Sequence, residues 1–274
     1  MDPLARAPAA DLAAWLVFAL ALCDDADALA MSGFRRDLRI SAKPDRTLVT
    51  HLDQEIEQGI RQRIQAAYPD HGVVGEEYGV SGEDARTRWF VDPIDGTHNF
   101  VRGVPLFGTL LAIEHDGELH VGVMSAPALG ERWYATRGGG AWAVRGGGSD
   151  APRRIRVSGV SAIDDAQLLY GSAFDIEASG RAPGFQALRG AIWRERGFGD
   201  FWGYALLAEG AAEAMIEIGV STWDIAAPLV IVEEAGGRLT DLDGNRRIDG
   251  REVLATNGLL HDEFVRRVRG VAPA

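Results

Sequence analysis

The hydrophobic period of this chain changes along its length, and that change bounds the folds open to it. Leu52, Ile56, Ile60 and Ile64 recur every four residues, the apolar face of a helix that ends before Pro69. The apolar residues then come in short runs, Val73-Val74 and Trp89-Phe90-Val91. Each run passes straight into polar residues, as strands ending at a site do. From Leu106 to Val144 the pattern is an antiparallel meander, with turns at Asp116-Gly117, Pro127 to Gly130 and Gly138-Gly139-Gly140. Helices mixed with antiparallel hairpins give an α+β or layered αβ fold, not a doubly wound parallel sheet.

A chain of 274 residues makes one large domain or two small ones. The Gly-rich stretch from Gly146 to Pro152 is the best boundary, dividing an N-terminal α+β half, residues 1–148, from a C-terminal αβ half, residues 149–274. The two halves are expected to form one compact catalytic unit. Past the boundary the pattern predicts strands near Arg154–Val157 and Leu168–Ser172, then helices near Phe185–Arg196 and Tyr204–Ala212. A strand at Ala214–Ile218 and a helix from Trp223 to Ala235 follow, the helix stopped by Gly236-Gly237 and locally distorted by Pro228. A strand at Val253–Thr256 and a helix at Asp262–Val268 close the chain.

The run from Leu12 to Cys23 is about twelve residues, short of the roughly 20 that span a bilayer. Met1 to Asp11 carries two Asp and one Arg, a poor leader for a signal peptide, so a buried amphipathic helix is expected there. Cys23 is the one cysteine, which leaves no intrachain disulfide and no thiolate zinc site and fits a reducing cytoplasm. Asp and Glu number 40 against 28 Lys and Arg, a net charge of −12. Such a surface repels nucleic acid and anionic lipid, so neither is an expected partner. An anionic substrate needs another attraction, and a bound metal supplies one.

Three acidic segments concentrate the chemistry. They are Gly75-Glu76-Glu77, Asp92-Pro93-Ile94-Asp95-Gly96-Thr97 and Trp223-Asp224. Taken singly, Glu76-Glu77 reads as a solvated pair, Asp92-x-x-Asp95-Gly as a turn, and Asp224 as a charge at a helix start. Taken together, each at a strand end or a helix start, they read as a site. Bringing Glu76, Asp92, Asp95 and Asp224 together without a cation costs several kcal/mol, since the repulsion scales as ~332/εr. Hard divalent cations such as Mg²⁺ or Mn²⁺ suit an all-oxygen site. There is no G-x-x-x-x-G-K-[ST] loop and no G-x-S-x-G elbow, which disfavours an NTPase or a serine hydrolase.

These segments carry a resemblance. Gly75-Glu76-Glu77, Trp89 to Thr97 with Asn99-Phe100, and Trp223-Asp224-Ile225-Ala226-Ala227 with Glu234-Ala235-Gly236-Gly237 resemble the signatures of the inositol-monophosphatase-like family over nearly the whole chain. The resemblance implies an αβαβα layered sandwich and a magnesium-dependent phosphomonoesterase, commonly a homodimer. It implies two or three Mg²⁺, which Mn²⁺ can replace, held by Glu76, Asp92, Asp95, Asp224 and the Ile94 carbonyl. It makes Thr97, with Asp53 behind it and Glu76 assisting, the group that activates the attacking water. It places phosphate on the Gly96 and Thr97 amides and the rest of the substrate near Glu217. Lys43-Pro44-Asp45-x-Thr47-x-Val49 has Thr47 where the inositol branch usually has Asp. That stretch, Val101 to Pro105, Ser125 to Gly130, and Gly199-Asp200-Phe201-Trp202-x-Tyr204 resemble the histidinol-phosphatase branch. In that branch Asp200 and Glu217 would meet a cationic substrate, L-histidinol phosphate, with Phe201, Trp202 and Tyr204 packed on its imidazole. The alternatives are an inositol or other sugar-alcohol phosphatase, and a non-catalytic binding protein of the same fold.

Overall fold

Residue 9 opens a long helix, and the computed structural model describes residues 9–43, 47–148 and 150–270. Helix α1, Ala9–Gly33, buries Trp15, Ala19, Leu22, Cys23, Ala26 and Ala30, a stripe of i, i+3 and i+4 steps. No described helix is long and apolar enough to cross a membrane. Strands β1, Ile40–Ala42, and β2, Leu48–Thr50, form a small hairpin ahead of α2, His51–Ala67. As expected, α2 buries Leu52, Ile56, Ile60 and Ile64.

An eight-stranded sheet follows from β3, Gly72–Gly75, β4, Gly79–Ser81, β5, Thr87–Asp95, and, after the short helix α3, Thr97–Val101, β6, Gly108–His115. The meander continues as β7, Glu118–Ala126, β8, Glu131–Thr136, and β9, Gly140–Val144, with β10, Arg153–Ile155, on its edge. The strand order is β10-β9-β8-β7-β6-β5-β3-β4. Thus Arg153–Ile155, past the Gly-rich stretch, still pairs with the first sheet, Ile155 opposite Ala141.

The second sheet runs β12-β11-β13-β15-β14. Its strands are β11, Gln167–Tyr170, β12, Arg194–Arg196, β13, Ala214–Ile218, β14, Arg238–Thr240, and β15, Glu252–Thr256. Helices α4, Ala173–Ile176, α5, Ala182–Arg189, α6, Asp200–Ala208, α7, Thr222–Glu234, and α8, His261–Val268, complete the frame.

Three cores define five layers. Trp89, Val91, Leu111, Ile113, Val121 and Val123 face α1 and α2. The alternate residues Phe90, Leu110, Ala112 and Met124 face α6 and α7, which also cover one side of the second sheet. The other side packs on α5 and α8. Period-2 alternation with both faces apolar is what a sheet sandwiched between helices requires. The fold is the αβαβα sandwich that the family resemblance implied.

Two expected helices differ. Phe185–Arg196 is not one helix: α5 stops at Arg189, and residues 194–196 pair in parallel with β11. The helix expected over Tyr204–Ala212 starts at Asp200 and ends at Ala208, because Gly210 turns the chain at φ +78°. Helix α7 runs unbroken through Pro228.

Candidate active site

Parallel pairing of β3 with β5 sets Gly75 opposite Val91, and the Glu76 N–H donates to the Val91 carbonyl at 3.2 Å. Glu76 and Asp92 therefore leave neighbouring strands side by side. Asp92 and Asp95 are three residues apart, and a regular strand would send them to opposite faces. The β5–β6 register shifts between them, so that Asp92 pairs with Leu110 and Asp95 with Gly108. That irregularity at Pro93-Ile94 turns both carboxylates to one side. The Thr109 hydroxyl holds it by donating to the Pro93 carbonyl at 2.9 Å.

Asp224 comes from the other half of the chain. It is the third residue of α7, and its carboxylate accepts the Ser221 N–H at 2.7 Å in a capping box. One oxygen each of Asp92, Asp95 and Asp224 lie within 4.8 Å of one another. Burial, then the charge of Glu76 and of the other two aspartates, drives the Asp92 carboxyl well above the usual range. Burial and then Asp200 do the same to Asp95. Asp224 is pushed up to about 7, by burial first. Oδ1 of Asp92 is buried and has no hydrogen-bond partner among the described residues.

An orphaned carboxylate oxygen among mutually repelling carboxylates fits a hard cation. The donor set is all oxygen. Asp92, Asp95 and Asp224 can hold a metal ion, with Glu76 on the wall of the same cavity of about 480 Å³.

Thr97, the first residue of α3, places its hydroxyl 2.9 Å from the Ile94 carbonyl and 3.2 Å from Oδ1 of Asp53. One hydroxyl hydrogen can serve only one of these acceptors at a time. Asp53 is buried in a capping box of its own, with Oδ2 accepting the Thr50 N–H at 2.8 Å and the Thr50 hydroxyl at 2.5 Å. Gly96 caps α3 at φ +78°, and a Cβ there would meet the Leu106 carbonyl at 2.8 Å.

Asp200 also lines the cavity, and Glu217 is not among the residues that do. Glu217 lies behind Asp200. It accepts the Asp200 N–H at 3.2 Å and the Tyr204 hydroxyl at 2.7 Å. Burial and the charge of Asp200 push it up to about 8. The aromatic residues depart from expectation. Phe201 and Tyr204 are each 1% exposed within the central core, and Trp202 packs on Phe198 at 5.0 Å between ring centroids. None of the three lines the cavity. They sit on α6, whose inner face fills the layer between the sheets.

Two residues were missed as partners of the acidic set. Lys43 Nζ bonds Glu76 and Glu77 at 2.8 Å each, and Pro44 and Asp45 beside it lie outside the described residues. Glu57, fully buried, accepts the Glu77 N–H at 2.7 Å and the Tyr78 N–H at 3.2 Å, and so fixes the turn that presents Glu76. It follows Asp53 by one helical turn, which was the available signal.

The layered αβαβα frame and the acidic cavity at its strand ends are those that the resemblance to metal-dependent phosphomonoesterases implied. The chain belongs to the inositol monophosphatase family, whose profile matches residues 11–271. It is 47% identical to a histidinol-phosphatase of Mycobacterium tuberculosis over 92% of this chain and 97% of that one. It is 44% identical to a histidinol-phosphatase of Streptomyces coelicolor, over 89% and 92%. Among solved structures, the extragenic suppressor protein suhB of Bartonella henselae superposes with a TM-score of 0.85 at 28% identity, covering 93% of this chain and 98% of that one.

Proposed function

We propose that this protein is a Mg²⁺-dependent phosphatase that hydrolyses L-histidinol phosphate to L-histidinol and phosphate. The observation that carries the reading is the cluster of Asp92, Asp95 and Asp224 around an orphaned Asp92 oxygen, in a chain 47% identical to a histidinol-phosphatase. Glu76, Asp92, Asp95, Asp224 and the Ile94 carbonyl would hold two or three Mg²⁺, replaceable by Mn²⁺. When bound, the cation offsets the charge of the carboxylates and of the phosphate group as its ester bond breaks.

The chain's own groups do the rest. The Thr97 hydroxyl, released from Ile94, orients the attacking water and passes its proton toward Asp53, with Glu76 assisting. Asp53 is suited to receive it, because burial raises its carboxyl above the usual range. The Gly96 and Thr97 N–H groups hold a phosphate oxygen at the start of α3. Asp200 offers a carboxylate to the substrate's ammonium, and Glu217 supports Asp200 from behind. A homodimer and a cytoplasmic location belong to the same proposal.

The test is phosphate release from histidinol phosphate with Mg²⁺, then with excess chelator, then with Mg²⁺ restored. Activity should vanish and return. Full activity in chelator contradicts the reading.

A further inference from the structure

Asp200 has a backbone that an L-residue adopts only at a cost. Its φ is +48°, directly after Gly199 at φ +71°. A left-handed, non-glycine residue persists where its surroundings over-determine it, and such strain collects at functional sites. Three contacts hold it. The Asp200 N–H donates to Glu217 Oε1 at 3.2 Å, and the next N–H, of Phe201, donates to Asp95 Oδ2 at 2.8 Å. The third contact is on the carboxylate itself: Asn99 Nδ2 donates to Asp200 Oδ2 at 3.0 Å.

Asn99 spends its other amide hydrogen on the Leu106 carbonyl at 2.9 Å. A primary amide has two hydrogens, and both are committed here. Rotation of the Asn99 side chain breaks one bond or both, so the amide is a fixed fork that sets the direction of the Asp200 carboxylate. The same oxygen packs against Gly96, where a Cβ would stand 3.2 Å from it. Asp200 is thus aimed from the backbone side by Glu217 and from the carboxylate side by Asn99, while it lines the cavity that holds the acidic cluster.

We propose that Asn99 is a positioning residue for Asp200, and that the Asn99–Asp200 pair selects phosphomonoesters carrying an ammonium group near the ester. A neutral donor fixes the direction of a carboxylate without itself being a competing cation, which is what recognition of a small cation requires. This rests on the phosphatase reading above and names the residue pair that gives it its substrate class. Nothing in the Asn99 side chain need touch the substrate.

The test compares two substrates that differ only in the amine: histidinol phosphate and its desamino analogue, 3-(imidazol-4-yl)propyl phosphate. The measured quantity is the ratio of their kcat/KM values in the parent, Asn99→Leu, Asp200→Asn and the double variant, with thermal melts on each. The parent should favour the amine. Asn99→Leu should lower the ratio about ten-fold, mainly through KM for histidinol phosphate, in line with loss of a charge-assisted hydrogen bond. Adding Asn99→Leu to Asp200→Asn should lower the ratio no further, because the first acts through the second. Asn99→Ser carries the same expectation if the leucine variant does not fold. A folded Asn99 variant with the parent's ratio, or losses that add in the double variant, overturns the inference alone. A parent without preference for the amine overturns the inference together with the substrate reading.

Discussion

Thr97 shows how much one side chain can be asked to do. Its hydroxyl lies within reach of both the Ile94 carbonyl and Asp53. Thr97→Ala removes that hydroxyl and leaves every acidic residue in place. Its kcat should fall by about 10²–10⁴, the usual span of general acid–base assistance, with little change in melting temperature. Stopped-flow or steady-state phosphate release reads this directly, and an unchanged kcat contradicts the assigned role. The acidic residues themselves were legible because their types and spacing are the chemistry. Their supports were not. Lys43 reaches Glu76 across 33 positions of sequence, and Asn99 reaches Asp200 across 101. No local pattern carries a contact of that separation.

His261, away from the site, gives a pH dependence of its own. It is buried, with its ring nitrogens 2.9 Å from the Thr256 hydroxyl and 3.1 Å from the Thr240 hydroxyl. Burial first, and Arg238 second, push its pKa down to about 4. Between about pH 6.5 and 4 the unfolded chain binds a proton on this residue that the folded protein refuses. Stability from this residue is complete above that window and falls as the pH is lowered through it. An NMR titration should find the His261 imidazole ionising well below its neighbours in the unfolded chain. A midpoint near 6.5 contradicts this.

At the scale of elements, α7 joins the halves of the chain. It carries Asp224 at its start and crosses the first sheet at Gly122, where a Cβ would meet the Ala227 carbonyl at 2.6 Å and Val230 Cβ at 3.1 Å. The first of these is backbone and cannot swing away. Gly122→Ala should therefore lift α7 from β7 and cost about 1–3 kcal/mol, as overpacking does. Because Asp224 rides on the same helix, activity should fall with it. Chemical denaturation and phosphate release together test this, and a variant with parental stability and rate contradicts the account of α7. Where element boundaries were misread, sheet pairing took residues 194–196 and a left-handed glycine ended α6. Gly210, at φ +78°, stops a helix that the apolar pattern alone would have continued. The apolar periods placed most of the remaining helices and strands within a few residues. The three-residue strands β1, β2, β4, β12 and β14 escaped, because so short a run does not distinguish a strand from a loop.

At the scale of the whole molecule, five layers bring together groups that the sequence keeps far apart. Glu76, Asp92 and Asp95 come from the first sheet, Asp224 from α7, and Asp200 from α6. The αβαβα frame was implied by the resemblance, while the mixed periods alone reached only α+β. The expected boundary in the Gly-rich stretch meets a frame in which β10 lies in the first sheet and α7 covers it, so the central core draws on both halves. The cavity sits where they meet.

The central claim is that this cavity hydrolyses a cationic phosphomonoester. The most direct measurement is kcat/KM for L-histidinol phosphate against inositol 1-phosphate, with saturating Mg²⁺ and the same preparation. Losing one charged contact is worth roughly 1.5–3 kcal/mol, so histidinol phosphate should be favoured by at least about ten-fold. A preference for inositol 1-phosphate would contradict the account.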